Sequence, residues 1–329
     1  MKHHNLGVKE ETKNKRMMIF SGSSSPELAE KIAGSLDIKL GDVSRTHFKN
    51  GEIYVKFNES VRGADVFLIQ TCAEPVNDHI MELLIMIDAL KRASAAVINA
   101  VIPHYGYARQ DKKSEGREPI SARLLADLLM VAGIDRAILV DLHTATIQGF
   151  FDIPVDHVTA IPIISKYFSE KKIKDGVVVS PDVGGVKRAS IFAKRLHFPL
   201  AIMDKRRPAP NMSEMENIVG DVKGKEAIIF DDMIDTGGTL LNAIDMLKRH
   251  GAQKVYIGAT HPIFSGDALS RMEASEVDEV VVLDTIPLKR KYNKEKIKVL
   301  SIAPLLAKTI KKVYYCKSVS ELFKGENLV

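Results

Sequence analysis

Residues 227–240 combine, within one short stretch, residue types that could bind a phosphorylated sugar. An apolar run at 227–230 is typical of a strand buried on both faces, and Asp231 and Asp232 come directly after it. A third carboxylate and a turn of small residues follow, before a helical pattern begins. These residues are Asp235, Thr236, Gly237, Gly238 and Thr239. The stretch therefore places carboxylates and glycines together at one end of a predicted strand.

The backbone and the side chains of this stretch suit different parts of a ligand. Glycines let the chain approach a ligand closely and adopt a positive φ, which we expect of Gly238, and free N–H groups at a helix start bind anions. Thr236 and Thr239 offer hydroxyl donors, while Asp231 and Asp232 can accept hydrogen bonds from sugar hydroxyls. A phosphate cup beside a diol acceptor predicts a ribose 5-phosphate site. The alternative is an Asp-rich turn that only caps the next helix.

A second strand-to-helix turn, at 180–188, carries another set of groups for an anion. Asp182 is a hard oxygen ligand, and Lys187 and Arg188 place cations beside a glycine turn. This combination suits a magnesium–pyrophosphate group. The alternative interpretation is a simple turn between a strand and a helix.

The segment 204–210 is basic and stiffened by prolines. Lys205, Arg206 and Arg207 are adjacent cations, which repel one another unless they are solvated or paired with an anion. A solvated surface loop is the usual outcome for such a run. The sharper hypothesis is a mobile lid that brings cations to a phosphoryl transition state.

Two strand ends in the first half of the chain carry further polar groups. Arg109 offers a planar guanidinium for phosphate, and Gln110 offers amide groups. Asp141 and His143, one residue apart, are predicted to share one face at a strand end. They could help to hold a metal ion and nucleotide phosphates, although a single histidine is more often structural.

The segment 48–52 joins an aromatic ring to hydrogen-bonding groups. Phe48 could stack on a purine, and Asn50 and Glu52 could read its edge. A hairpin turn at Asn50-Gly51 explains the same residues equally well.

Composition limits the class of protein. A chain of 329 residues is expected to form about two domains, and its net charge of +5 is too mild and too dispersed to indicate a nucleic-acid partner. Two cysteines suggest neither a disulfide framework nor a Cys-rich metal site, and no apolar run of membrane-spanning length occurs. Residues 1–16 are polar and lack the apolar core of a signal peptide, so we expect a disordered tail and a cytoplasmic protein.

Matching segments recur in the same order along the chain. Residues 87–92 match residues 244–249 almost letter for letter, and a strand pattern that ends near Pro and His follows each of them. Residues 137–141 likewise match residues 280–284. Residues 17–36 and 176–196 also share a layout of strand, turn and helix, and three matches in one order indicate an internal duplication. We therefore predict two α/β domains, 17–155 and 156–329, each a mainly parallel sheet flanked by helices. The C-terminal segment could pack back on the first domain.

Together these motifs resemble the ribose-phosphate pyrophosphokinase family, which has the type I phosphoribosyltransferase fold. The resemblance covers nearly everything after residue 16. It rests on residues 48–52, 60–63, 81–89, 107–111, 141–143, 147–151, 180–185, 205–207 and 231–239. Many bacterial members have Asp where Asn50 stands, and Lys is common where Arg123 stands. Neither departure removes a group that the chemistry needs.

The resemblance implies a reaction in which the 1-hydroxyl of ribose 5-phosphate attacks the β-phosphorus of ATP, giving phosphoribosyl pyrophosphate and AMP. It assigns ATP binding to Phe48, Asn50, Gly51, Glu52, Arg109 and Gln110. It assigns ribose 5-phosphate to Asp231, Asp232, Asp235, Thr236, Gly237, Gly238 and Thr239. Mg²⁺ would be served, directly or through water, by Asp141, His143 and Asp182, and the catalytic cations would be Lys205 and Arg207. Such transfer needs alignment and charge neutralisation more than covalent chemistry.

The resemblance also implies regulation and assembly. Members of the family usually form homohexamers, and phosphate-activated members bind phosphate or ADP at a subunit contact. The matching positions here are Ser60, Arg62, Arg117, Ser318 and Ser320. From spacing alone, these would be scattered surface residues.

Two other functions compete with this one. A plain phosphoribosyltransferase would need one loop of the 231–239 kind, but neither a duplicated half nor an ATP site. A catalytically silent regulatory homologue should have lost the metal-binding or lid residues, which are all present here.

Overall fold

The computed structural model describes residues 16–206 and 215–323, which fold into two α/β halves. The first half contains β1 (Arg16–Ser21), α1 (Pro26–Ser35), β2 (Val43–His47), β3 (Ile53–Phe57), β4 (Ala64–Ile69), α2 (Val76–Arg92), β5 (Val97–Ile102), α3 (Ser121–Ala132), β6 (Arg136–Val140), a 3-10 helix (Ala145–Phe150) and β7 (Val155–Val158). Helix α4 (Ile161–Glu170) follows and leads into the second half.

The second half repeats this succession of elements. It contains β8 (Gly176–Ser180), α5 (Val186–Leu196), β9 (Leu200–Arg206), β10 (Met215–Val219), β11 (Glu226–Ile234), α6 (Gly238–Arg249), β12 (Lys254–Pro262), α7 (Ala268–Ala274), β13 (Glu279–Leu283), β14 (Ile297–Leu300) and α8 (Ala303–Tyr314). A 3-10 helix (Ser320–Leu322) comes last among the described elements.

The strand order confirms two similar domains. The first sheet has the order β1-β4-β5-β6-β7, and all its strands are parallel. The second sheet has the order β10-β9-β8-β11-β12-β13-β14, in which only β10 is antiparallel to its neighbour. Strands β8 and β11–β14 therefore repeat the order of the first sheet. The matched segments 87–92 and 244–249 lie in α2 and α6, which are counterparts.

The central strands form because their sequences are apolar on both faces. Every residue of β4, β8 and β13 is buried, as expected for parallel strands with helices on both sides. One core cluster lies in the first half and one in the second, while a third spans the two halves. The two sheets are therefore joined by a shared apolar core.

The helices of the shared core are exchanged between the halves. Helix α4 packs on α5 of the second half, and its counterpart α8 packs on α1 of the first. The C-terminal segment thus returns to the first domain, and Phe323 is fully buried there beside this core.

Two predicted boundaries shift slightly. The division at 155/156 falls inside β7, which pairs with β6, so the chain leaves the first sheet after Val158. Arg16, assigned to the tail, begins β1; residues 1–15 lie outside the described residues.

Candidate active site

The carboxylates Asp231 and Asp232 lie within β11, not beyond it. The strand continues to Ile234 because it remains paired with β12, whereas its pairing with β8 ends at Ile229. Beside the carboxylates, β8 gives way to the turn that leads into α5. The prediction that the acidic pair follows the strand is therefore wrong, and the pair is held on a rigid element at the edge of a cleft.

Arg188, in the first turn of α5, binds both carboxylates. Its Nη1 lies 3.3 Å from Asp231 Oδ1 and 3.0 Å from Asp232 Oδ1. Its Nη2 donates to the backbone carbonyl of His143 at 3.2 Å. Because His143 belongs to the first half, Arg188 joins the two halves at the site.

The two neighbouring carboxylates have opposite pKa shifts. Burial and the adjacent charge of Asp232 raise the pKa of Asp231 well above its usual value. Burial alone would also raise the pKa of Asp232, but Arg188 and His143 outweigh it and lower that pKa. Asp232 is thus the ionised, fully paired member, and its side chain is only 3% exposed. Asp231, at 21% exposed, is the one that faces the cleft.

His143 reaches the acidic pair from the first half. Its Nδ1 lies 2.8 Å from Asp232 Oδ2, and its ring is partly exposed. Asp141 adopts a positive φ of 34° directly after β6. Its Oδ2 accepts hydrogen bonds from the Ala160 N–H at 2.9 Å and the Thr260 hydroxyl at 2.6 Å. Asp141 and His143 therefore bind different partners, although both line one small cavity between the halves.

The residues predicted to form the phosphate cup lie at the start of α6. Gly237 is the N-cap residue with a φ of 75°, and no side chain caps the helix. Thr236 and Thr239 are exposed, and a Cβ on Gly238 would meet nothing within 4 Å. The positive φ that we expected of Gly238 belongs to Gly237 instead. The first N–H groups of α6 therefore face open space and are available to an anion.

An ion pair crosses the cleft next to this cup. Arg109 Nη2 lies 2.5 Å from Asp235 Oδ2, and the Ser265 hydroxyl donates to Asp235 Oδ1 at the same distance. Gln110 accepts a hydrogen bond from the Ser121 hydroxyl and lines the same opening. A cavity of about 660 Å³ lies between the halves here. Asp235 therefore contacts Arg109, a residue assigned to ATP, and its carboxylate is not free for a phosphate.

Asp182 lies in the turn between β8 and α5. Its Oδ1 accepts the Gly185 N–H at 2.7 Å, which fixes the turn before α5, and the residue is exposed. Within residues 16–206 and 215–323, no three His, Cys, Asp or Glu side chains are grouped to hold a metal. The structure does not assemble Asp141, His143 and Asp182 into one closed protein site.

Family comparisons decide between the remaining interpretations. A family model described as the N-terminal domain of ribose phosphate pyrophosphokinase matches residues 17–133, and one described as the phosphoribosyl synthetase-associated domain matches residues 205–324. A ribose-phosphate pyrophosphokinase from Clostridium acetobutylicum is 54% identical over 95% of this chain and 98% of its own length. The enzyme of that name from Bacillus subtilis is 52% identical over 94% of this chain and 98% of its own length.

The chain belongs to the ribose-phosphate pyrophosphokinase family. A solved structure of phosphoribosylpyrophosphate synthetase from Mycobacterium smegmatis is similar across the whole fold, with a TM-score of 0.88 and 49% identity. The alignment covers 92% of this chain and all of the Mycobacterium smegmatis chain. The resemblance predicted from the motifs is therefore confirmed.

Some residues that the pyrophosphokinase resemblance assigned to ATP lie away from the cleft cavity. Phe48 and Glu52 close the hairpin between β2 and β3, where the Phe48 N–H donates to the Glu52 carbonyl at 2.8 Å. Gly51 has a φ of 90°, so the local hairpin explanation is correct. Phe48 is 55% exposed, and no residue of 48–52 lines the cavity beside Arg109.

The catalytic cations of the pyrophosphokinase prediction are only partly described. Lys205 lies near the end of β9, which continues past the end of β8 at the same sheet edge as the acidic pair. Arg207 lies outside the described residues.

The predicted effector residues occupy three exposed places on a single chain. Ser60 and Arg62 precede β4, Arg117 lies in the loop after β5 with a φ of 73°, and the hydroxyls of Ser318 and Ser320 lie 2.9 Å apart near the C-terminus.

Sequence reasoning missed Ser265 and the bridging contacts of Arg188. Ser265 follows β12, and Arg109 follows its counterpart β5, so the duplication was a signal that residues after β12 would enter the cleft. Arg188 was recognised as a cation, but its contact with Asp231, Asp232 and the first half carried no local signal.

Proposed function

We propose that this chain transfers the pyrophosphoryl group of ATP to the 1-hydroxyl of ribose 5-phosphate, giving phosphoribosyl pyrophosphate and AMP for nucleotide biosynthesis. The observation that carries the proposal is that two contacts between the halves, each to an aspartate of the second half, meet at one cleft. His143 from the first half binds Asp232, and Arg109 from the first half binds Asp235. Both partners lie in or directly after β11, beside an uncapped helix start.

Ribose 5-phosphate binds at the end of β11. Its phosphate accepts hydrogen bonds from the N–H groups at the start of α6 and from the hydroxyls of Thr236 and Thr239, which are exposed. The ribose hydroxyls donate to Asp231, which is the more exposed carboxylate of the pair. Asp232 acts as a positioning residue because its two oxygens already bind Arg188 and His143.

ATP binds on the side of the cleft formed by the first half. Arg109 and Gln110 contact its phosphates, since the Arg109 guanidinium is more than half exposed although it is paired with Asp235. Binding of a phosphate would compete with that ion pair. The Asp235 carboxylate therefore compensates the charge of Arg109 until the anionic substrate binds.

Mg²⁺ is the expected cofactor, and the residues present fit it in part. Mg²⁺ is usually held by one or two carboxylates together with substrate phosphates, so a closed protein cage is not required. Asp182 is exposed and uses only Oδ1 in its own turn, and the His143 ring faces the same cleft. Asp141 would act behind His143, because it is buried and its Oδ2 is already bonded twice. When bound, the metal would neutralise charge on the transferring phosphates.

The protein itself aligns the reactants and supplies cations. The 1-hydroxyl of the ribose is held in line with the β-phosphorus, and its proton is released to water as the new P–O bond forms. Lys205 and Arg207 supply positive charge to the transferring group, and AMP leaves with the bridging oxygen.

The adenine pocket is completed across a subunit contact. Phe48 is exposed on a hairpin remote from Arg109 in sequence, and such a ring needs a neighbouring surface to form a pocket. A second apolar surface, on α3, exposes Leu124, Leu128 and Val131 on one helical face. Both surfaces support assembly with further copies, as a homohexamer in the cytoplasm. Phosphate and ADP then act as effectors at Ser60, Arg62, Arg117, Ser318 and Ser320.

The test measures AMP formation from ATP with and without ribose 5-phosphate and Mg²⁺. We expect AMP only when all three are present. A phosphoribosyltransferase would instead form pyrophosphate from phosphoribosyl pyrophosphate and a nucleobase, and a silent homologue would do neither. The matched variant is Asp231→Ala, with Asp221→Ala, an exposed carboxylate in the loop before β11, as its control. Equal AMP formation by both variants would contradict the placement of the sugar.

A further inference from the structure

Glu82 is a buried carboxyl group in the first half, away from the proposed site. Its residue is 2% exposed. Oε1 accepts the Ser23 N–H at 2.6 Å and the Gln70 Nε2 at 2.9 Å, while Oε2 accepts the Ser23 hydroxyl at 2.7 Å. The donors come from the loop between β1 and α1 and from the residue after β4. The Glu82 carboxylate therefore satisfies a set of hydrogen-bond donors that could otherwise bind another anion.

The duplication gives this position a counterpart in the second half. Residues 87–92 of α2 match residues 244–249 of α6, and both helices continue without interruption back to positions 81 and 238. Glu82 therefore corresponds to Thr239, in the first turn of α6. The loop that holds Ser23, between β1 and α1, likewise corresponds to the turn of Asp182, between β8 and α5.

The two halves differ at the helix that carries this position. In the second half, α6 begins at Gly238, so Thr239 lies at a helix start with free N–H groups. In the first half, α2 already begins at Val76, so Glu82 lies in its second turn. The N–H groups that form a cup in the second half are used by helical hydrogen bonds in the first.

The loop of the first half is also closed by Gln70. Its Oε1 accepts the Ser24 N–H at 3.1 Å and the Ser24 hydroxyl at 2.6 Å. A Cβ on Gly22 would lie 2.1 Å from Gln70 Oε1, so only glycine allows the side chain to pack this closely. In the second half, Thr239 is exposed and a Cβ on Gly238 would meet nothing within 4 Å, whereas the corresponding position in the first half is packed against its own loop.

We propose that the first half is a copy of the phosphate site in which the carboxylate of Glu82 has replaced the ligand. Glu82 acts as a built-in anion: it holds the 22–25 loop in its folded conformation and excludes a second sugar phosphate from the chain. This inference rests on the proposed ribose 5-phosphate site for the comparison of the halves. Its test measures stability and not catalysis, so the two can fail separately.

The test is rescue of Glu82→Ala by small anions. Removing the carboxylate leaves buried donors unsatisfied, and we expect the Tm to fall by about 5 °C or more. Formate or inorganic phosphate should recover most of that loss, because an anion can re-enter the vacated space and bind the same donors. Potassium chloride at equal ionic strength is the salt control. The Tm of the parent protein in each salt measures the stabilisation that comes from anions bound elsewhere.

Two further variants complete the experiment. Glu118→Ala removes a carboxylate that also accepts two backbone N–H groups, from Ser114 and Glu115, but near the surface, where water replaces it. It should show no formate rescue. Glu82→Gln keeps the shape but replaces Oε2, which accepts from the Ser23 hydroxyl, with an amide that can only donate, and it removes the charge, so it should lower the Tm without any rescue. If Glu82→Ala is insoluble, Glu82→Gln decides.

The contradicting outcomes are specific. If Glu82→Ala gains no more from formate or phosphate than the parent and Glu118→Ala do, the vacated space is not an anion site. If Glu82→Gln melts within about 1 °C of the parent, the negative charge is not needed to hold the loop.

Discussion

His143 Nδ1 lies 2.8 Å from Asp232 Oδ2, so a ring from the first half is fixed by a carboxylate from the second. Arg188 binds the other oxygen of that carboxylate at 3.0 Å. Because the pKa of Asp232 is lowered, its carboxylate is ionised and Nδ1 of His143 is the donor. The same contact that joins the halves therefore also sets the orientation of a group in the cleft.

Asp231 is expected to cost stability at neutral pH. Its folded pKa is raised, so the stability that it contributes is present below its unfolded pKa and is lost as the pH rises through the folded pKa. Asp231→Asn should therefore have a higher Tm than the parent at about pH 8, and the difference should vanish towards about pH 4. The same variant, Asp231→Asn, should no longer bind ribose 5-phosphate. A variant that is less stable at the higher pH would refute the raised pKa.

Valine substitution at Gly237 and at Gly238, the two glycines at the start of α6, should have different effects. A Cβ on Gly238 faces open space, so Gly238→Val should fill the phosphate cup and abolish ribose 5-phosphate binding without unfolding the protein. Gly237 has a φ of 75°, so Gly237→Val should instead lower the Tm through backbone strain. Calorimetry and thermal melting separate the two effects. Unchanged ribose 5-phosphate affinity in Gly238→Val would show that the cup is elsewhere.

Arg109 is expected to act mainly on ATP. Arg109→Ala removes the guanidinium that faces the cleft and leaves Asp235 with its Ser265 contact, so the KM for ATP should rise about tenfold or more. Arg92→Ala is the matched control, because Arg92 also pairs with an aspartate, Asp88, but on an exposed helix face. Equal KM values for ATP in the two variants would contradict the assignment of Arg109 to ATP binding.

Lys205 is expected to act on the transition state. Lys205→Ala should slow turnover by roughly 10²–10³, the usual loss for one preorganised donor, and leave ATP binding largely intact. Turnover and ATP affinity are measured on the same preparation. Turnover within about threefold of the parent would remove Lys205 from the reaction.

The parts of this fold that the sequence predicts are those with a local or repeated signal. The strand at 227–230 and the helix that carries Leu240, Ile244 and Leu247 follow from apolar runs and helical spacing, and all three helix residues are buried. The duplication followed from the match between 87–92 and 244–249, which the strand order bears out.

The parts that the sequence did not predict depend on contacts between distant residues. β11 extends through Asp232 because β12 pairs with it there, and no local pattern of two carboxylates indicates a strand. The Asp141 carboxylate is buried because the Ala160 N–H and the Thr260 hydroxyl bind it, and its spacing from His143 did not indicate either contact. In each case a partner far along the chain determined the conformation.

The most direct test of the proposed reaction follows the γ-phosphorus of ATP. ATP labelled at that position is incubated with ribose 5-phosphate, Mg²⁺ and the protein, and the products are separated. We expect unlabelled AMP and phosphoribosyl pyrophosphate that carries the label on the terminal phosphorus of its 1-diphosphate, in equal amounts. Labelled ribose bisphosphate together with ADP, or labelled free phosphate without phosphoribosyl pyrophosphate, would contradict transfer of an intact pyrophosphoryl group.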